Sequence, residues 1–165
     1  MKGGGERPTV PATLLRDPGH LLALGFGAGL APWAPGTFGS LVGLVAYGAI
    51  AGVPVPGYFA ICGALFLIGL PICSRTAAAL KCHDHPAIVW DEIVGMLVTL
   101  GCGRPEFASV VLGFLLFRLF DIWKPWPVRR CDTRVEGGLG IMLDDLAAAA
   151  YAGAGLLLFS YISSS

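Results

Sequence analysis

Five carboxylates, Asp91, Glu92, Asp121, Asp144 and Asp145, stand at or just inside the ends of strongly apolar segments. An ionisable group in hydrocarbon costs roughly 2.5 to 3.5 kcal/mol even on an insertion scale, so acids in such places mark ion, proton or substrate chemistry. The pairs Asp91-Glu92 and Asp144-Asp145 each set two oxygen donors about 100° apart on a helix. One acid of a pair can then face a bundle interior while its neighbour turns toward the interface or a second ion. Oxygen donors with little histidine suit Mg²⁺, which keeps waters and shares phosphate oxygens. Helix capping is the structural alternative; it fits Asp144 but not Asp91, which follows the apolar run AIVW.

Arg118, Asp121 and Lys124 recur every three residues along FRLFDIWKPWP, on one side of a helix and its exit. A carboxylate between two cations can hold a metal while the cations hold phosphate, or the three can form an ion-pair ladder. Pro35-Gly36-Thr37 opens a helix whose unpaired N–H groups and dipole favour an anion, with Thr37 and Ser40 as further donors. A simple helix start capped by Thr37 is the alternative. His83, Asp84 and His85 precede Pro86, a place that suits a solvated turn at least as well as metal ligation; Asp84 is kept as a second-tier acid.

The elements that position these groups are apolar helices. The 165 residues are 55% hydrophobic and 13% charged, with 24 glycines and 12 prolines, and the mean hydropathy is +0.73. A soluble domain carries about 25% charged residues, so the composition places the chain in a bilayer. The formal net charge of zero argues against a nucleic-acid-binding surface. Five cysteines, none in a CxxC pair or zinc spacing, read as apolar fillers or reduced thiols.

Apolar runs at 37–53, 57–73, 87–102, 107–123 and 145–162 are short for spans but long enough if their polar ends reach the interface. The expected fold is all-α, a small polytopic membrane bundle of about four to five transmembrane helices. Residues 20–35 are too interrupted by glycine and proline to span and are expected to form a re-entrant or interfacial segment along a polar cavity. The same stretch, 21–34, loosely resembles a signal peptide, but Pro35 would make a poor cleavage junction and the glycine spacing suits close packing. Residues 1–19 are expected to be a flexible cytoplasmic tail and 20–165 a single membrane-embedded domain.

Arg75 and Lys81 fall in the loop 74–86, and Lys124, Arg129, Arg130 and Arg134 in the loop 124–143. Basic loops are retained in the cytoplasm. Five spans place both loops, and with them all five acids, Thr37 and Ser40, at the cytoplasmic face. Arg129, Arg130 and Arg134 can attract anionic headgroups or serve only as topology markers.

GTFGS at 36–40, IVWDEIVGM at 88–96, FRLFDIWKPWP at 117–127 and GGLGIMLDDLAA at 137–148 resemble the phosphatidylglycerophosphatase A family. The resemblance also takes in 20–36 and HDHP at 83–86, nearly all of the chain after residue 19. It implies a Mg²⁺-dependent phosphatase of the bacterial cytoplasmic (inner) membrane, of about four spans, that converts phosphatidylglycerol phosphate to phosphatidylglycerol and inorganic phosphate. Its partners would be an anionic phospholipid and the bilayer, without nucleic acid.

Other phosphatase designs are missing from the sequence: no cysteine has an arginine six positions later, no DxD occurs, and no lysine stands seven residues before an Arg-Pro. Direct attack of water on phosphorus is therefore expected. Asp91, Glu92, Asp121, Asp144 and Asp145 are the candidate metal ligands, and Asp91, Glu92, Asp121 and Asp145 the catalytic set. Arg118, Lys124, Gly36, Thr37 and Ser40 are the candidate phosphate-binding residues. A small ion or proton transporter is the alternative, though it would place its acids near the midplane of repeated halves, and no repeat is present. The signature of an alcohol phosphotransferase, DxxDGxxAR, is absent.

Overall fold

Proline and glycine set the helix boundaries, and apolar runs fill the helices between them. The computed structural model describes residues 10–82, 85–124 and 137–163. Within these residues the chain is helical, without strands: α1 (Pro18–Ala23), α2 (Pro35–Ile50), α3 (Val55–Leu80), α4 (Trp90–Gly101), α5 (Phe107–Trp123) and α6 (Gly138–Ile162). Two short 3-10 turns, Leu14–Arg16 and Gly25–Leu30, flank α1. Prolines open α1, α2 and α3 within their first turns, where the missing N–H has no partner to lose.

Each of the five apolar runs becomes a helix, α2 to α6, but two boundaries differ from expectation. Helix α3 continues to Leu80, so Arg75 stands on a helix and not in a loop. Its last turns are rich in alanine, the best helix former, and the Thr76 hydroxyl is satisfied by donating to the Ile72 carbonyl at 2.7 Å. Helix α6 begins at Gly138, so Asp144 and Asp145 lie in its second turn; its first turn carries no acid. The capping role open to Asp144 is thereby excluded.

Helix α4 is the centre. It packs against α2, α3, α5 and α6, and nine of its twelve residues are buried, so its flanking helices cover it on nearly every side. At 1.5 Å per residue it is about 18 Å long, short of the roughly 30 Å hydrocarbon core. Helices α3 and α6 are long and apolar enough to cross a membrane by length and composition, whereas α2 is a shorter apolar helix. The window of α3 is only 17% buried within the protein, which leaves most of its apolar surface facing outward.

The stretch 20–35 does not form a spanning helix. The chain turns back at Phe26 (φ 57°) and Gly27 (φ 98°) and packs on the start of α4. The Val89 N–H, at the N-cap of α4, donates to the Ala23 carbonyl at 2.9 Å. A Cβ on Gly29 would collide with the Ala87 carbonyl, and one on Gly39 would come within 2.7 Å of the Val89 side chain. Glycines thus let the N-terminal segment and α2 clamp residues 87–89, directly before Asp91. Phe26, Leu30 and Trp33 remain exposed on this segment.

Helical structure begins before residue 20. Asp17 caps α1 by accepting from Gly19 N–H at 2.8 Å and His20 N–H at 3.2 Å, and it pairs with Arg75 of α3. These contacts, chiefly the His20 N–H, hold its carboxyl below the ordinary range.

Candidate active site

The N-terminus of α2, the start of α4, the end of α5 and the second turn of α6 meet at one end of the bundle around a cavity of about 250 Å³. The turns at 51–54 and 102–106 lie at the other end, about a separate small cavity. All five candidate acids line the first cavity, as do Arg118, Lys124 and Gly36. Its volume is below the roughly 300 to 1,000 Å³ of sites that enclose a drug-sized ligand. It therefore suits a small polar group and not a whole drug-sized ligand.

The acids divide into two groups. Arg118 donates to Asp121 one turn along α5, and Lys124 reaches across to Asp144 of α6. Asp91, Glu92 and Asp145 instead each bring a carboxylate oxygen to within 4.8 Å of one another. Asp91 and Asp145 are buried and Glu92 is partly so. Glu92 Oε2 and Asp145 Oδ2 are buried with no hydrogen-bond partner among the described residues. Three carboxylates this close repel one another in a medium of low dielectric, and a cation among them would remove that repulsion. The all-oxygen donor set with orphaned oxygens fits a hard divalent cation.

Close helix packing brings the trio together. A Cβ on Gly95, one turn beyond Asp91, would come within 2.7 Å of the Phe117 ring and 3.2 Å of the Asp145 carbonyl. Glycine at this position lets α5 and α6 approach α4. A Cβ on Gly36 would run into Glu92 Oε1 and lie 3.2 Å from Arg118 Nη1, so the same argument seats the start of α2 against an acid and a cation at once.

Two cavity residues have left-handed backbone, Ala34 (φ 44°) before Pro35 and Lys124 (φ 46°) at the end of α5. Non-glycine residues held there cost of order 1 to 3 kcal/mol and cluster at functional sites. At Lys124 this conformation ends the helix where the side chain turns to Asp144. The sequence pattern showed Lys124 near Asp121 but not this turn.

Ser40 is buried and donates to the Gly36 carbonyl at 3.0 Å, and neither it nor Thr37 forms part of the cavity wall. His85 accepts from the Ala87 N–H at 3.1 Å through Nδ1, a contact that shapes the turn into α4. Asp84 and His83, like Arg129, Arg130 and Arg134, lie outside the described residues. Pro86, Ile88, Gly140 and Ile141 complete the wall and were not singled out in the sequence. Gly140 stands four residues before Asp144, and that one-turn spacing was the available signal.

A family model described as Phosphatidylglycerophosphatase A matches residues 21–160. The chain belongs to this family. It is 42% identical to "Phosphatidylglycerophosphatase A" of Escherichia coli (strain K12) over 146 residues, 88% of this chain and 84% of the relative. It is 45% identical to the protein of the same name from Haemophilus influenzae over 140 residues, 84% and 86% of the two chains. No solved structure matches. The family is one of phosphatases, and these relatives give no support to a transporter.

Proposed function

We propose that this chain hydrolyses the terminal phosphate of phosphatidylglycerol phosphate to give phosphatidylglycerol and inorganic phosphate. The observation that carries the reading is the grouping of Asp91, Glu92 and Asp145 beside Arg118 and Lys124 in one headgroup-sized cavity. Asp91, Glu92 and Asp145 would hold Mg²⁺, with Asp121 and Asp144 beside them. Bound there, the ion would neutralise phosphate charge and favour the departing glycerol oxygen.

Lys124 and Arg118 bring positive charge to the phosphoryl oxygens, and the start of α2 at Gly36 adds its dipole. Ion pairs with Asp121 and Asp144 fix where those cations stand. Glu92 takes the proton of the attacking water; its Oε2 has no other partner among the described residues, and Glu reaches further than Asp. The new bond joins the water oxygen to phosphorus, the bond from phosphorus to glycerol oxygen breaks, that oxygen gains a proton from solvent, and Glu92 returns its own proton to solvent. Phosphoryl transfer of this kind depends on positioning and charge more than on covalent intermediates.

The finer setting is part of the same proposal. Five helices thread the bacterial cytoplasmic membrane, with α4 as a buried short element, and the cavity opens on the cytoplasmic side. The exposed Trp33 and Trp123 near the cavity end support this setting, since indole rings prefer the headgroup region. Phosphate release from phosphatidylglycerol phosphate by the purified protein is the test. Turnover with Mg²⁺ that stops on chelation is expected, and a protein inert toward this lipid with Mg²⁺ present would refute the assignment.

A further inference from the structure

The headgroup cavity accounts for only part of a lipid, and a second concavity adjoins it. Leu115, Leu119, Ile122 and Trp123 line a shallow, open apolar groove along one face of α5, and its fifth lining residue is Arg118. Arg118 also lines the phosphate cavity. One guanidinium therefore stands between a polar chamber full of acids and an apolar trough. Its Nε is buried with no hydrogen-bond partner among the described residues, so it retains a donor for an anion at that boundary. The four apolar groove residues are widely exposed, from 54% at Leu119 to 73% at Ile122. Helix α2 touches α5 much less than either touches α4, which leaves the cavity's flank open beside the groove.

We propose that this α5 groove seats the diacylglycerol portion of the lipid substrate, with Arg118 at the junction between headgroup and acyl chains. The inference rests on the phosphatase reading above and adds the route by which the substrate is held. Continuity argues for this occupant: a molecule with a phosphorylated head and two apolar tails matches a polar cavity and an apolar groove that share one cation. Seating the tails there lets the headgroup enter from the bilayer without leaving it, and the apolar contact contributes in proportion to the area covered.

The test compares two soluble substrates, dihexanoyl-phosphatidylglycerol phosphate below its micelle concentration and the fully deacylated glycerophosphoglycerol phosphate. The wild-type protein is expected to show a higher kcat/KM on the diacyl compound. The double variant Leu119→Gln/Ile122→Gln and the groove-filling Leu115→Trp should each lower the ratio of the two kcat/KM values about tenfold, through KM of the diacyl compound. Leu157→Gln, on the exposed face of α6, controls for a polar side chain on an apolar surface and should leave the ratio as in wild type. A ratio unchanged in both groove variants, while wild type hydrolyses both substrates, would overturn the groove alone. A wild type inert toward both would overturn the phosphatase reading and the groove with it.

Discussion

At the residue scale, charge divides the cavity into acids that hold cations of the protein and acids whose grouping could hold a metal ion. Lys124 belongs to the first group, and its loss separates structure from chemistry. Lys124→Met should lower kcat about 10² to 10³-fold, the usual consequence of removing one electrostatic donor from a site. It also leaves Asp144 without its lysine, so Lys124→Met/Asp144→Asn should regain thermal stability relative to the single variant without regaining rate. A double variant with wild-type phosphate release would make the pair purely structural. Gly36 is a steric case, since a single methyl there would meet Glu92 and Arg118 together. Gly36→Ala should lower kcat/KM more than tenfold while the protein stays folded, measured by phosphate release and thermal unfolding; unchanged kinetics would show that α2 can retreat without cost.

At the scale of elements, much was readable because helices are punctuated by residues with fixed physical roles. Prolines at 35, 54, 56 and 105 stand at or beside helix ends, and the five apolar runs marked α2 to α6. The interrupted stretch before Pro35 was rightly excluded as a span, since three glycines between Leu24 and Leu30 signal close backbone approach. The sequence was less informative where propensity and hydropathy disagree. TAAAL at 76–80 is only mildly apolar, yet it extends α3, and GGLGIML opens α6 despite its glycines because α3 packs onto them: a Cβ on Gly138 would collide with the Leu70 carbonyl. The acids could be assigned to one end of the bundle from the basic loops, but the division into a trio and two ion pairs could not. It depends on how α4, α5 and α6 cross, which is set by Gly95. Gly95→Val should overpack this crossing, with a cost of about 1 to 3 kcal/mol seen as a lower midpoint of unfolding. Activity should fall as well, because Asp145 is displaced from Asp91 and Glu92. Unaltered stability and rate would show that the crossing is not held by this contact.

At the scale of the whole molecule, the bundle keeps its charged chemistry at one end, where the two long helices α3 and α6 also end or begin. Topology then decides which leaflet presents the substrate. In a background lacking the native cysteines, Lys81→Cys, just after α3, should resist a membrane-impermeant thiol reagent applied to intact cells, and Glu106→Cys at the opposite end should react. The reverse pattern would place the cavity outside and contradict the cytoplasmic assignment. In the proposed five-helix arrangement α4, about 18 Å long, reaches across only within the cover of its neighbours, and its burial makes it the scaffold of the site.

The central claim is that the trio of Asp91, Glu92 and Asp145 carries metal-dependent phosphate release, and a Mg²⁺ titration of that release tests it most directly. Wild type, Asp91→Asn and Asp145→Asn are compared on phosphatidylglycerol phosphate after verified removal of metal, with folding confirmed by thermal unfolding. Wild type should be silent without Mg²⁺ and saturate as it is added. Each variant should be folded, reach less than about one hundredth of the wild-type rate, and require more Mg²⁺ for its residual activity. Full wild-type turnover in excess chelator, or variants that follow the wild-type titration, would contradict the account.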